Sequence, residues 1–208
     1  MLEEASNFPK VTVILRGYTY DQCRCVVRQL VGSKLNAVEV AMNTPGAAET
    51  IAKLVQEFGS EVHIGAGTVT TVERAQAAAA AGAKFMLSPI NFTEEIFEIA
   101  RKAGAITVPA AYTPTEVIKM FDMGADIVKI FPAACVSPRF FSDIQAPLDR
   151  MPLMAVGGVN GSNVQDYFDA GAEFAGIGSG IFEKDDIRAM NEDALAEQIK
   201  AFENRVRW

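Results

Sequence analysis

Two ionisable residues lie where charge is expensive. Lys129 interrupts the apolar, β-branched run Asp126-Ile127-Val128-Lys129-Ile130-Phe131, which Pro132 stops, and Glu39 interrupts Ala37-Val38-Glu39-Val40-Ala41. Both runs have the composition of buried strands. A buried ammonium must be paired or give up its proton. A neutral amine can attack a carbonyl carbon and form a Schiff base. The plainer reading of Lys129 is a lysine at a strand end whose stem packs while its head reaches water. Opposite charges inside two apolar strands favour a pocket shared by Glu39 and Lys129.

Other residues have types suited to anions, each with a structural alternative. Gly157-Gly158-Val159 and Gly178-Ser179-Gly180 could bring backbone N–H groups close to phosphate oxygens, or could be plain tight turns. Gly65-Ala66-Gly67-Thr68 could hold a carboxylate through backbone amides and the Thr68 hydroxyl, or could be a tight turn with a helix N-cap. Arg16 is either an anion anchor or a surface charge. Cys135 and His63 read as structural residues; with His63 the only histidine, a histidine-rich metal site or a histidine-based triad is disfavoured.

A repeat supplies the elements that would position these groups. Each unit is an apolar strand, a turn and a helix ending at a glycine: Gly32, Gly59, Gly82, Gly104, Gly124 and Gly171, with room for two units in the last interval. Glycine there suits a left-handed helix C-cap. Thr70-Thr71-Val72-Glu73 and Thr113-Pro114-Thr115-Glu116 match capping boxes. The strands read as Val11–Leu15, Ala37–Ala41, His63–Ala66, Phe85–Leu87, Ile106–Val108, Ile127–Ile130, Leu153–Val156 and Phe174–Ile177, and Glu192 to Arg205 as a closing helix. Eight apolar strands alternating with helices predict a single-domain (β/α)8 TIM barrel, with residues 1–10 packing beneath it. An open doubly wound sheet is the competitor, but no Gly-x-Gly-x-x-Gly follows the first strand. In a barrel the reactive groups gather at the C-terminal strand ends, and the loops after strands 7 and 8 commonly take phosphate. Arg16, Glu39, Thr68, Ser88-Pro89, Lys129, Gly157-Gly158 and Gly178-Ser179 all fall at or near such ends.

Composition narrows the classes. The 208 residues are 50% hydrophobic with a net charge of −7, which disfavours nucleic acid as a partner. The start has no basic region or apolar core of a signal peptide, and the run Ala75 to Ala83 is too short and weakly apolar to span a bilayer. Three cysteines, Cys23, Cys25 and Cys135, are read as free thiols in a reducing cytoplasm.

A lysine nucleophile, one carboxylate, a carboxylate cradle and a phosphate site together imply cleavage of a phosphorylated 2-keto acid. The amine would attack the ketone, the iminium would serve as electron sink, and Glu39 would move protons, with water sharing or shuttling them.

On these residues the chain resembles a known family. Val38-Glu39-Val40, Gly65-Ala66-Gly67-Thr68-Val69, Ser88-Pro89, Val128-Lys129-Ile130-Phe131-Pro132-Ala133, Gly157-Gly158-Val159 and Gly178-Ser179 look like the class I aldolases acting on 2-keto-3-deoxy-6-phosphogluconate and 4-hydroxy-2-oxoglutarate. The resemblance runs from Val11 to Phe182. It implies a TIM barrel, a homotrimer, no metal or other cofactor, and the products pyruvate and glyceraldehyde 3-phosphate. It also implies Lys129 as the Schiff-base lysine and Glu39 as general acid/base. Thr68 would touch the pyruvate carboxylate, Gly157, Gly158, Gly178 and Ser179 the phosphate, and Pro89 would be a further substrate-binding residue. Ile14-Leu15-Arg16-Gly17 and Met42-Asn43-Thr44-Pro45 are more similar to the branch acting on 2-keto-3-deoxy-6-phosphogalactonate, in which Arg16 would be a substrate ligand. Asn43 and Val156 stand where the phosphogluconate branch usually has arginine and threonine. Tyr112 and Ala110 stand where smaller residues are expected at the mouth of strand 5. Two other readings keep part of this pattern: another phosphate-binding barrel, such as an isomerase or a thiamine-phosphate-type synthase, and a non-catalytic sugar-phosphate sensor.

Overall fold

The structure, a computed structural model, describes residues 7–208. Strands and helices alternate: β1 (Val11–Leu15), α1 (Tyr20–Leu30), β2 (Ala37–Ala41), α2 (Ala47–Phe58), β3 (His63–Gly67), α3 (Val72–Ala80), β4 (Phe85–Leu87), α4 (Glu94–Lys102), β5 (Ile106–Val108), β6 (Ala110–Ala111), α5 (Pro114–Asp122), β7 (Val128–Ile130), α6 (Arg139–Leu148), β8 (Leu153–Val156), α7 (Val164–Asp169), β9 (Phe174–Ile177), α8 (Lys184–Ala189) and α9 (Glu192–Glu203). A 3₁₀ turn, Ala133–Cys135, precedes α6. The strands form one sheet in the order β5-β4-β3-β2-β1-β9-β8-β7-β6, every pair parallel.

The two ends of that order are consecutive pieces of chain, so the sheet closes into a (β/α)8 barrel. Nine strand segments replace the eight expected because the fifth barrel strand is split. Pro109 has no N–H to donate, and the next amide, Ala110, donates to Ile90 O at 3.0 Å. The sixth strand is also one residue shorter than expected. The carboxylate of Asp126 accepts from Thr107 N at 3.0 Å and Thr107 Oγ1 at 2.9 Å, and Asp126 N donates to Thr107 Oγ1 at 3.0 Å. Side chains thus join the fifth strand to the start of the sixth, next to the first backbone rung between them, in which Ile127 N donates to Thr107 O at 3.1 Å.

Strand alternation sorts the side chains into two layers. Val38, Val40, Val128 and Ile130 pack with the helices. Ala37, Ile127, Phe85, Leu87, Val108 and Met154 fill the barrel interior. Glu39 and Lys129, two residues beyond Ala37 and Ile127, face inward as well. At the N-terminal end Phe8 closes the interior, its ring edge-on to Phe85 at 5.1 Å and to Phe174 at 5.7 Å. The expectation that residues 1–10 pack beneath the barrel concerns Phe8 here; for residues 1–6 it lies outside the described residues.

The helix ends follow the glycine repeat with two departures. Gly59 has a helical φ of −65°, and a Cβ there would lie 2.5 Å from Val55 O, so crowding rather than handedness suits glycine. The unit without a glycine ends α6 at Asp149, which takes the left-handed φ of 65° itself. The capping box at Thr113–Glu116 forms, with Pro114 opening α5. The one expected at Thr70–Glu73 does not: α3 starts a residue later, with Thr71 accepting from Arg74 N. A box absent from the sequence reading caps α1, through Thr19 and Gln22.

Candidate active site

Glu39 and Lys129 occupy the second and sixth of eight barrel positions, so they face one another across the interior. They are 2% and 4% exposed. Burial pushes the Glu39 carboxyl up to about 7, against the opposing pull of Lys129 and Arg16. Burial likewise brings the Lys129 ammonium down to about 8, with Glu39 resisting and Arg16 assisting. Desolvation dominates in both. Glu39 Oε2 has no hydrogen-bond partner, and Lys129 Nζ lies 4.8 Å from the centre of the Phe131 ring. Each group is therefore close to giving up its charge, which suits a nucleophilic amine and a carboxyl that both donates and accepts protons.

Glycines make the room. Gly65 and Gly67 do not form the tight turn that was one of the two readings; Gly65 lies in β3 as expected, Gly67 extends that strand by one residue beyond Ala66, and both face inward. A Cβ at Gly67 would strike the Glu39 carboxylate, and one at Gly65 would lie 2.5 Å from the Phe85 ring. The loop begins at Thr68, whose φ of 57° is left-handed.

A cavity of about 200 Å³ opens over the pair. The structure brings all nine sequence-predicted residues around it: Arg16, Glu39, Thr68, Pro89, Lys129, Gly157, Gly158, Gly178 and Ser179. Ile14, Phe131, Val159 and Gly176 also line it and were not foreseen as site residues. Ile14, Phe131 and Val159 stood inside the motifs quoted around Arg16, Lys129 and Gly157-Gly158, whereas Gly176 carried no such signal. Arg16 reaches from the end of β1, and its Nη1 donates to Asn43 Oδ1 at 3.1 Å. Gly17 N donates to Thr44 Oγ1 at 2.9 Å, tying the same two loops. At the other rim Gly157 and Gly158 have φ of 92° and 78°. A Cβ at Gly158 would clash with Ala134 Cβ. Ala134 N donates to Gly157 O at 2.9 Å, and Asn163 Nδ2 to Gly158 O at 3.0 Å. Val156 lines the cavity, whereas Tyr112 and Ala110 line an adjoining hollow of about 290 Å³ that shares Pro89 and Phe131. His63 lies at the opposite end of the barrel, edge-on to Phe8 at 6.2 Å.

A family profile described as "Aldolase: KDPG and KHG aldolase" matches residues 3–198. The chain belongs to that family. A 2-dehydro-3-deoxy-6-phosphogalactonate aldolase of Escherichia coli K12 is 31% identical over 194 residues, 93% of this chain and 94% of the relative. A solved structure described as native KDPGal superposes with a TM-score of 0.84 at 30% identity, covering 95% of this chain and 96% of that one. A KDPG aldolase from Legionella pneumophila, solved with pyruvate captured at low pH as a covalent carbinolamine intermediate, gives a TM-score of 0.83 at 26% identity, over 93% and 94% of the two chains. The protein is thus an aldolase, a lyase.

In this aldolase the cavity is lined by the charged Arg16, Glu39 and Lys129 together with the apolar Ile14, Phe131, Val156 and Val159. Among the described residues no group of three His, Cys, Asp or Glu is placed to hold a metal ion, and no helix is long and apolar enough to cross a membrane.

Proposed function

We propose that this aldolase cleaves a 2-keto-3-deoxy-6-phospho sugar acid to pyruvate and glyceraldehyde 3-phosphate through a Schiff base on Lys129. The observation that carries the reading is the buried pair: an amine lowered to about 8 and a carboxyl raised to about 7 face one cavity across the barrel. The neutral Lys129 amine adds to the C2 ketone. Loss of water from the resulting carbinolamine leaves an iminium. Removal of the C4 hydroxyl proton breaks the C3–C4 bond, whose electron pair flows into the iminium to give an enamine and release the aldehyde. Protonation at C3 and hydrolysis free pyruvate and regenerate the amine. Glu39 carries these protons, and a carboxyl near neutrality can accept and return them within one turnover. Thr68 meets the carboxylate end, and the loops at Gly157-Gly158 and Gly178-Ser179 meet the phosphate.

The name of the Escherichia coli relative and the motifs around Arg16 and Asn43 support the galactonate configuration. A homotrimer is proposed on the family resemblance, and a reducing cytoplasm on the free thiols Cys23, Cys25 and Cys135. The decisive experiment is incubation with pyruvate and borohydride, followed by intact mass and peptide mapping. One reduced adduct per chain is expected, on the peptide holding Lys129, and none in Lys129→Ala. An adduct on another lysine would overturn the reading.

A further inference from the structure

We infer that Arg74, outside the cavity, is a positioning residue for recognition of the keto-acid carboxylate, acting through the backbone of Thr68. The inference deepens the proposed function and rests on its placement of Thr68 at the carboxylate end.

Thr68 lines the cavity in a conformation that threonine rarely holds. Its φ is 57°, where a β-branched side chain crowds its own backbone. Such strain persists only where the surroundings over-determine it. Both sides of the following peptide plane are tied. The amide, Val69 N, donates to Leu87 O at 3.1 Å. The carbonyl, Thr68 O, accepts from Arg74 Nη1 at 3.2 Å. The same guanidinium nitrogen donates to Thr70 Oγ1 at 2.7 Å, so its two hydrogens clamp the loop at two residues. Arg74 stands in the first turn of α3, where its own amide donates to the Thr71 cap at 3.3 Å. The clamp is therefore anchored on a helix rather than on another loop. Without it, Thr68 can relax toward negative φ, which swings its hydroxyl and the adjacent amides away from the site. A rigid guanidinium is suited to this task, because it delivers donors in a fixed geometry and remains charged.

The test measures the pyruvate concentration giving half-maximal borohydride-trapped adduct on Lys129. Arg74→Ala should raise it roughly tenfold or more, the scale of one charge-assisted hydrogen bond, while saturating pyruvate still gives one adduct per chain. A double-mutant cycle separates positioning from general support of the fold. Thr68→Gly removes the strain and the hydroxyl together, and in that background Arg74→Ala should change the half-saturating concentration less than twofold. Where Arg74→Ala does not fold, Arg74→Gln, which keeps one amide donor, carries the same comparison. An unchanged half-saturation in the Arg74 variant, or an equal rise in both backgrounds, overturns the inference while leaving the Schiff base intact. Absence of any Lys129 adduct in the wild type instead overturns the proposed function on which it rests.

Discussion

Among the described residues two carboxylates are buried in this barrel, Glu39 within β2 and Asp126 just before β7, and they are treated in opposite ways. Asp126, 6% exposed, accepts from both the amide and the hydroxyl of Thr107. Those bonds replace the water it lost and fasten the fifth strand to the sixth. Glu39, 2% exposed, has an oxygen with no hydrogen-bond partner and a carboxyl raised to about 7 by desolvation. Burial alone therefore does not distinguish a working carboxylate from a structural one. The distinguishing property is whether the lost hydration is compensated by protein donors. Where it is, the charge is a fastener; where it is not, the group is left able to exchange a proton.

The contrast is sharpest in activity. Glu39→Gln keeps the shape of the side chain and removes its proton chemistry. Turnover should fall by ~10²-fold or more, the usual scale of a positioned acid/base. Pyruvate should still be trapped slowly on Lys129. A kcat near that of the wild type would remove Glu39 from the chemistry and collapse the distinction.

Asp126 should respond in stability instead. Asp126→Ala leaves the buried amide and hydroxyl of Thr107 without their acceptor, at a cost of about 1–3 kcal/mol. Thermal melting should show it as a drop of roughly 2–4 °C for each kcal/mol lost, while saturating pyruvate still gives one adduct per folded chain. If Asp126→Ala instead matches the kcat loss of Glu39→Gln without lowering Tm, the two carboxylates have been assigned the wrong way round.

The difference between the two acids was only partly legible in the sequence. Glu39 and Lys129 stand out because each is a lone charge in an apolar strand, and the strand–helix–glycine repeat places both at barrel positions. The residues at the strand ends follow from the same register, which is why the cavity gathers all nine of them. What the sequence hides is contact between distant segments. Nothing local says that Gly67 is small to admit the Glu39 side chain. Nor does it say that Asp126 finds Thr107 nineteen residues away. The split at Pro109 needed the partner of Ala110 N to be known. The role of Arg74 needed the backbone angle of Thr68, which composition does not reveal.

The smallest effect is also the most specific to the mutual field of the pair. Only the neutral Lys129 amine attacks a carbonyl, so the initial rate of adduct formation at saturating pyruvate should rise with pH, reach half its plateau near the amine's folded pKa, about 8, and level off above it. Glu39 raises that value and Arg16 lowers it. Removing each influence must therefore move the profile in opposite directions. Glu39→Gln withdraws a negative charge that favours the ammonium, so Lys129 loses its proton more readily and the plateau is reached at lower pH. Arg16→Gln withdraws a positive charge that disfavours the ammonium, so the plateau moves to higher pH. The Arg16 shift should be the lesser, because its exposed guanidinium acts through a more polarisable medium than the buried carboxyl. Asp126→Ala should leave the profile where it is, its carboxylate having no part in the Lys129 balance. Trapping with cyanoborohydride across the pH range reads all three. A plateau that moves the same way in Glu39→Gln and Arg16→Gln would mean that Lys129 is tuned by something other than the charges facing it.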